Sequence, residues 1–196
     1  KKASMLEERF SSEALSTRVA DLTRSSEVEA LFAESEKGKD GWQSVIHLVG
    51  GFRYGRLVDL SDEDWQYLVD LNLGTTFRVL RAAERCFEVA KGGSFVAVSA
   101  PAANLGESSL GGYAATKAGV LRLVEAAARE MRLFGARANT VLPGTMDTPG
   151  NRRAMPTADP AEWVSTTAVS AVIEFLTSRA ASAVNGAAVF VPGPTL

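Results

Sequence analysis

The 196-residue sequence contains one cysteine, Cys86, and one histidine, His47. A lone cysteine excludes an internal disulfide and suits a reducing cytoplasm, the compartment expected for this chain. Cys86 falls in a helical apolar pattern, which predicts a core role rather than a reactive one. Neither sign of charge dominates. The formal net charge is -2, which argues against nucleic acid and against an anionic membrane as partners. No apolar run approaches the length of a transmembrane helix, and the opening residues 1–8 have no signal-peptide character. No metal-ligating set stands out. A Gly-rich turn is also missing: neither Gly-x-Gly-x-x-Gly nor Gly-x-x-x-Gly-x-Gly follows a strand near the N-terminus.

What is present is ample material for a core. Hydrophobic residues make up 46% of the sequence, and a single domain over residues 1–196 is expected. Apolar runs rich in β-branched residues, at Val45–Val49, Ser94–Ser99 and Ala138–Leu142, predict buried parallel strands. Thr17–Asp21 and Ala187–Val191 predict two more. Between them lie helical patterns. Ser26 to Glu29 reads as a capping box for a helix to about Glu36. Ser61 and its acidic followers start a long helix to about Ala90, and Tyr113 to about Phe134 is another, ended by Gly135. The apolar arc of that last helix is wider than one stripe, which predicts a second buried face. Asp159-Pro160 starts a helix expected to reach about Ser178. Asn185-Gly186 reads as a turn. The polar, basic segment Asn151–Pro156 has the character of a mobile lid.

Chemistry concentrates at Tyr113-Ala-Ala-Thr-Lys117. Residues four apart on a helix share one face, so the tyrosine and lysine are one turn apart. A free phenol has a pKa of about 10. A neighbouring ammonium favours the phenolate, so the spacing predicts a lowered Tyr113 pKa and a role in proton transfer. His47 lies within the predicted buried strand Val45–Val49, and a hydrogen bond to neighbouring backbone is a plainer reading than catalysis.

Several further signals occur in one order: Asp21-Leu22-Thr23, Gly50-Gly51, Asn72 within Leu71–Gly74, Tyr113 with Lys117, and Pro143-Gly144 with Thr148. Together they resemble the short-chain dehydrogenase/reductase family over nearly the whole chain. The resemblance implies an α/β fold, a Rossmann-like doubly wound parallel sheet, here without the N-terminal β-α-β unit that carries the Gly-rich turn. It implies NAD(H) or NADP(H) as cofactor, a small-molecule substrate, and a homodimer or homotetramer formed through the helices containing Asn72 and Tyr113. By the same resemblance Tyr113, Lys117 and Asn72 are catalytic. Tyr113 exchanges the proton, Lys117 holds the nicotinamide ribose, and Asn72 binds a water in a proton relay. Asp21 and Leu22 lie near the adenine. Gly50 and Gly51 let the cofactor approach, Pro143 and Gly144 pass the nicotinamide, and the Thr148 hydroxyl meets its carboxamide or a phosphate.

The sequence departs from the family at Ala100, thirteen positions before Tyr113, where a serine usually holds the substrate oxygen. Its neighbour Ser99 would face the opposite side of a continuing strand. The segment Leu142–Pro149, with Asn151, Arg152, Met155–Asp159 and Trp163, resembles the dihydropteridine reductase branch, which also has alanine at that position and a Gly-Gly-aromatic like Gly50-Gly51-Phe52. Ala100, Phe52 and Met146 are then substrate-binding candidates. Three functions remain open: reduction of a quinonoid dihydropterin, oxidoreduction of a carbonyl or alcohol, and a non-catalytic cofactor-sensing scaffold. The choice between NAD and NADP rests on a strand end outside this sequence.

Overall fold

The structure is a computed structural model, and it describes residues 16–35 and 43–194. The chain forms a four-stranded parallel sheet in the order β1 (Ser44–His47), β2 (Gly93–Val98), β3 (Ala136–Pro143) and β4 (Ala188–Val191). Parallel neighbours need crossovers, and helices supply them. Helix α1 (Ser25–Ser35) precedes the sheet. Then α2 (Asp62–Leu68), a π turn (Val69–Gly74) and α3 (Thr75–Ala90) run without interruption between β1 and β2. Helix α4 (Gly111–Met131) joins β2 to β3, and α5 (Pro149–Ala154) and α6 (Thr166–Thr177) join β3 to β4.

Alternate residues of each strand face opposite sides, and each side has its own core. Phe95 and Ala97 of β2 join Val45, Phe32, Phe87, Val124 and Met131 beneath α1, α3 and α4. Val96, between them, joins Val141, Ile173 and Leu176 beneath α6. The sheet with helices on both faces is the expected α/β, Rossmann-like architecture. Cys86 is buried in the first core, as its helical pattern predicts.

Several local expectations change. Residues 16–20 are not a strand. Among the described residues β1 pairs only with β2, so no neighbouring strand is there to hydrogen-bond them. The start of α1 is not fastened by a Ser26–Glu29 box. Asp21 Oδ1 accepts from the Thr23 amide and hydroxyl, Glu27 Oε2 accepts from the Asp21 amide, and Glu29 pairs with Arg81 instead. Asn151–Pro156 is not an open lid. Most of it is α5, capped by Thr148 and tied down by two Arg152–Asp147 contacts of 2.6 and 2.8 Å. The helix expected from Asp159 to Ser178 is broken. Asp159 caps only one 3-10 turn, Val164 bridges Met146, and α6 restarts at its own cap, Ser165. The wide apolar arc of α4 is satisfied inside the chain, against β3 on one side and α3 on the other.

The remaining ends are as expected. Gly135 has φ +82° and stops α4 after one 3-10 turn, a conformation that suits glycine. Asn185 accepts from the Ala138 amide and donates to the Ala128 carbonyl, fixing the turn before β4.

Candidate active site

The site forms where the C-terminal ends of β1 and β2 meet α4. Tyr113 and Lys117 project from the first turns of α4. The Lys117 side chain is only 6% exposed on its residue and reaches back so that Nζ donates to the Val98 carbonyl at 3.2 Å. Burial lowers its pKa to about 8. Tyr113 is half-buried, and its hydroxyl makes no hydrogen bond among the described residues. Phe52 packs edge-on against its ring, with centroids 4.9 Å apart.

The direction of the Tyr113 shift reverses the expectation. Burial raises its pKa, and the lysine does not offset this. Nζ lies 5.8 Å from the ring centroid and spends a bond on the Val98 carbonyl of β2. Tyr113 in this state is a neutral phenol, a proton donor rather than a ready base.

Asn72 sits in the π turn, buried, and binds both the loop after β1 and helix α4. Its Oδ1 accepts from the Gly51 amide at 2.7 Å. Its Nδ2 donates to the Gly51 carbonyl and to Thr116 Oγ1, each at 3.0 Å. Gly50 lies against this clasp. A Cβ there would stand 2.9 Å from Asn72 Oδ1 and 3.0 Å from Lys117 Nζ, so only glycine leaves both groups in place. Lys117 and Asn72 are thus brought together, as the motif order implied. Thr116 was not singled out from sequence, although it stands inside the Tyr113–Lys117 motif.

His47 is 3% exposed, and its partner is a side chain rather than backbone: Nε2 lies 3.1 Å from Thr75 Oγ1. Burial, aided by the Lys117 charge, lowers its pKa to about 4, so it is neutral at ordinary pH.

At the end of β2 the strand has stopped before Ser99, so the side-alternation argument no longer applies there. Ser99 is nevertheless unavailable. Its buried hydroxyl donates to the Lys117 carbonyl at 2.9 Å. Ala100 follows, buried and extended.

The other candidates hold the frame. Thr148 Oγ1 caps α5. Gly144 is packed by β4, since a Cβ would meet the Pro192 carbonyl at 2.5 Å, and its amide donates to Val191. Pro143 ends β3 beside Val191. Met146 is half-buried and packs on the α6 core. Asp21 is engaged in its own turn, and Leu22 packs on the first core. Among the described residues no group of three or more His, Cys, Asp or Glu gathers to hold a metal, and no helix is long and apolar enough to cross a membrane.

The family described as enoyl-(acyl carrier protein) reductase matches residues 1–193. A short-chain type dehydrogenase/reductase from Mycobacterium ulcerans superposes with a TM-score of 0.84 at 29% identity, over 89% of this chain and 67% of that one. This chain belongs to the short-chain dehydrogenase/reductase family. Within that family it is 33% identical over 165 residues to (3R)-3-hydroxyacyl-CoA dehydrogenase of Rattus norvegicus, covering 76% of this chain and 61% of the relative. Another solved member, gluconate 5-dehydrogenase from Burkholderia cenocepacia in complex with NADP and tartrate, has a TM-score of 0.87 at 25% identity, over 98% of this chain and 80% of that one. The chain spans about half to three-fifths of the length of curated family relatives, 48% of one and 61% of another.

Proposed function

We propose that this chain belongs to an NAD(P)(H)-dependent oxidoreductase in which Tyr113 donates the proton and the acceptor is a conjugated C=N compound of the quinonoid dihydropterin type. The observation that carries the substrate class is the end of β2. Ala100 has no hydroxyl, and the Ser99 hydroxyl is spent on the Lys117 carbonyl. A ketone develops a localised oxyanion on reduction and loses most from the missing donor. A conjugated C=N acceptor spreads that charge. Phe52, edge-on to Tyr113, adds an aromatic wall suited to a planar ring.

The residues present fit a nicotinamide cofactor. Lys117 Nζ spends one bond on Val98 and keeps N–H groups for ribose hydroxyls, and the absence of a side chain at Gly50 leaves it undisturbed. Gly51, Pro143, Gly144 and Thr148 would border the nicotinamide, and Asp21 with Leu22 would lie toward the adenine. Bound there, the nicotinamide supplies the hydride. Tyr113, kept neutral by burial, delivers the proton from its hydroxyl to the substrate nitrogen. Lys117 would hold the ribose beside Tyr113, and Asn72 holds the loop after β1 against α4.

A second reading, reduction of a 3-oxoacyl thioester or the reverse oxidation, is favoured by the hydroxyacyl-CoA dehydrogenase relative. Steady-state assays with NADH and NADPH, on quinonoid dihydropterin and on acetoacetyl thioester, separate the two. Turnover of the pterin, little changed by Ala100→Ser, is expected. Turnover of the thioester alone, or a large gain on it in Ala100→Ser, overturns the pterin reading. Loss of turnover in Tyr113→Phe excludes a scaffold.

We propose further that α3 and α4 pair two copies. Phe77 on α3 is 46% exposed. A second chain would cover that ring. Sedimentation showing a monomer would reject this pairing, and Phe77→Glu is expected to split a dimer.

A further inference from the structure

The π turn that carries Asn72 is held from outside. In it the Thr75 amide bonds five residues back, to Asp70. The Leu71 carbonyl, which that amide would meet in an α-helix, accepts the Thr75 hydroxyl instead, at 2.6 Å. Thr76 makes the same bond to the Asn72 carbonyl, also at 2.6 Å. The Thr75 hydroxyl has one proton, and Leu71 takes it. The His47 contact at 3.1 Å is therefore Nε2–H donating to Thr75 Oγ1, which sets the neutral tautomer. One line of bonds then runs from β1 through His47, Thr75 and Leu71 to Asn72. From Asn72 it continues to Gly51 and to Thr116, beside Lys117.

We propose that His47 is a positioning residue. From β1 it fixes the π turn through Thr75, which aims Asn72 at Gly51 and Thr116 and keeps Asn72 Oδ1 beside Lys117 Nζ around Gly50. All of the side chains in this line are buried: His47, Thr75, Asn72, Thr116 and Lys117. The burial makes the line stiff, and it keeps water from the lysine. The titratable groups facing Lys117 are His47 from β1 and Tyr113 from its own helix; Asn72 from the π turn and Val98 from β2 bring no charge. The inference rests on the hydride-transfer reading only for its kinetic consequence.

The test compares wild type with His47→Ala, His47→Asn, Thr75→Val and the His47→Ala/Thr75→Val double variant. The first readout is lysine 13Cε titration by NMR, which needs no substrate. Lys117 is expected to titrate near 8 in wild type and to rise toward 10.5 in His47→Ala and Thr75→Val, because loosening the clasp admits water. His47→Asn, which restores a donor, is expected to return it part of the way. The single histidine also gives a direct ring 15N signal for the Nε2–H tautomer, expected to change in Thr75→Val. The second readout is kinetic, with NADH and quinonoid dihydropterin. A fall in kcat of about 10- to 100-fold at little-changed KM is expected from a misplaced group. The double variant should be no worse than the more damaged single variant.

If Thr75→Val and His47→Ala lower only the melting temperature, with Lys117 titration and kcat unchanged, His47 is core packing and the inference is overturned. Fully additive kinetic losses also overturn it. If wild type shows no turnover yet its Lys117 titration moves in the variants, the functional reading fails while the positioning role stands.

Discussion

Lys117 combines a nearly complete burial with a charge at neutral pH, and the two oppose each other. Its pKa falls from 10.5 in the open chain to about 8 in the fold. Between those values the unfolded chain binds a proton that the folded chain has released, so stability rises as pH rises through that window. Below about 8 both states are protonated, and the buried charge costs on the order of 3 kcal/mol at most. Replacing it with methionine keeps the length and removes the charge. Lys117→Met is therefore expected to gain about 1–3 kcal/mol at pH 7 while losing turnover, a trade seen where function strains a site. Its stability should also flatten between pH 8 and 10.5. Urea unfolding at several pH values checks both effects. Residue type and spacing single out Tyr113 and Lys117 in the sequence, and the family resemblance adds Asn72; the fold sets Asn72 Oδ1 and Lys117 Nζ together around Gly50. The direction of the Tyr113 shift was not legible there, since spacing along a helix says nothing about where a long side chain bends to find a carbonyl. Nor was the Thr75 partner of His47 legible, because it arrives from a different element.

At the scale of elements, the strands in the sheet were readable from their apolar runs, and the caps at Ser61 and Gly135 from their residue types. The failures share a cause. The expected strand at Thr17–Asp21 has the composition of a strand, but among the described residues no strand lies on that side of β1, and a strand is a pairing rather than a property of one segment. The break at Trp163–Ser165 was hidden because Asp159-Pro160 is a good start signal whichever length of helix follows. The π turn has no marker in periodicity, since one added residue looks like ordinary drift in the pattern. One element end also offers a clean measurement. Lys91 closes α3 at φ +56°, a left-handed conformation that a side chain resists, and it is solvent-exposed. Lys91→Gly is expected to stabilise the fold by about 0.5–1 kcal/mol, the strain relieved less the entropy that glycine adds to the unfolded chain. Thermal unfolding measures it, and a loss of stability would show that the side chain is held by something other than its backbone.

For the molecule as a whole, the middle and the ends of the sheet differ. β2 and β3 are paired on both edges, while β1 has a free edge among the described residues. Ile46 and Leu48 beside that edge are 47% and 65% exposed. An unpaired apolar edge invites another strand. Concentration-dependent light scattering is expected for this chain, and Ile46→Lys with Leu48→Lys should reduce it; scattering that persists unchanged would place the sticky surface elsewhere. The π turn between α2 and α3 reaches across the same whole. Each helical residue turns the chain by about 100°. The extra residue in Val69–Gly74 is thus an index that sets which side of α3 meets the sheet. Removing one residue there would make a more regular helix and would swing Val79, Leu80, Ala83 and Phe87 out of the core they share. In a deletion scan this stretch should be intolerant of losing a residue even where single substitutions are accepted, so that the length of the chain here, as much as its letters, is under constraint.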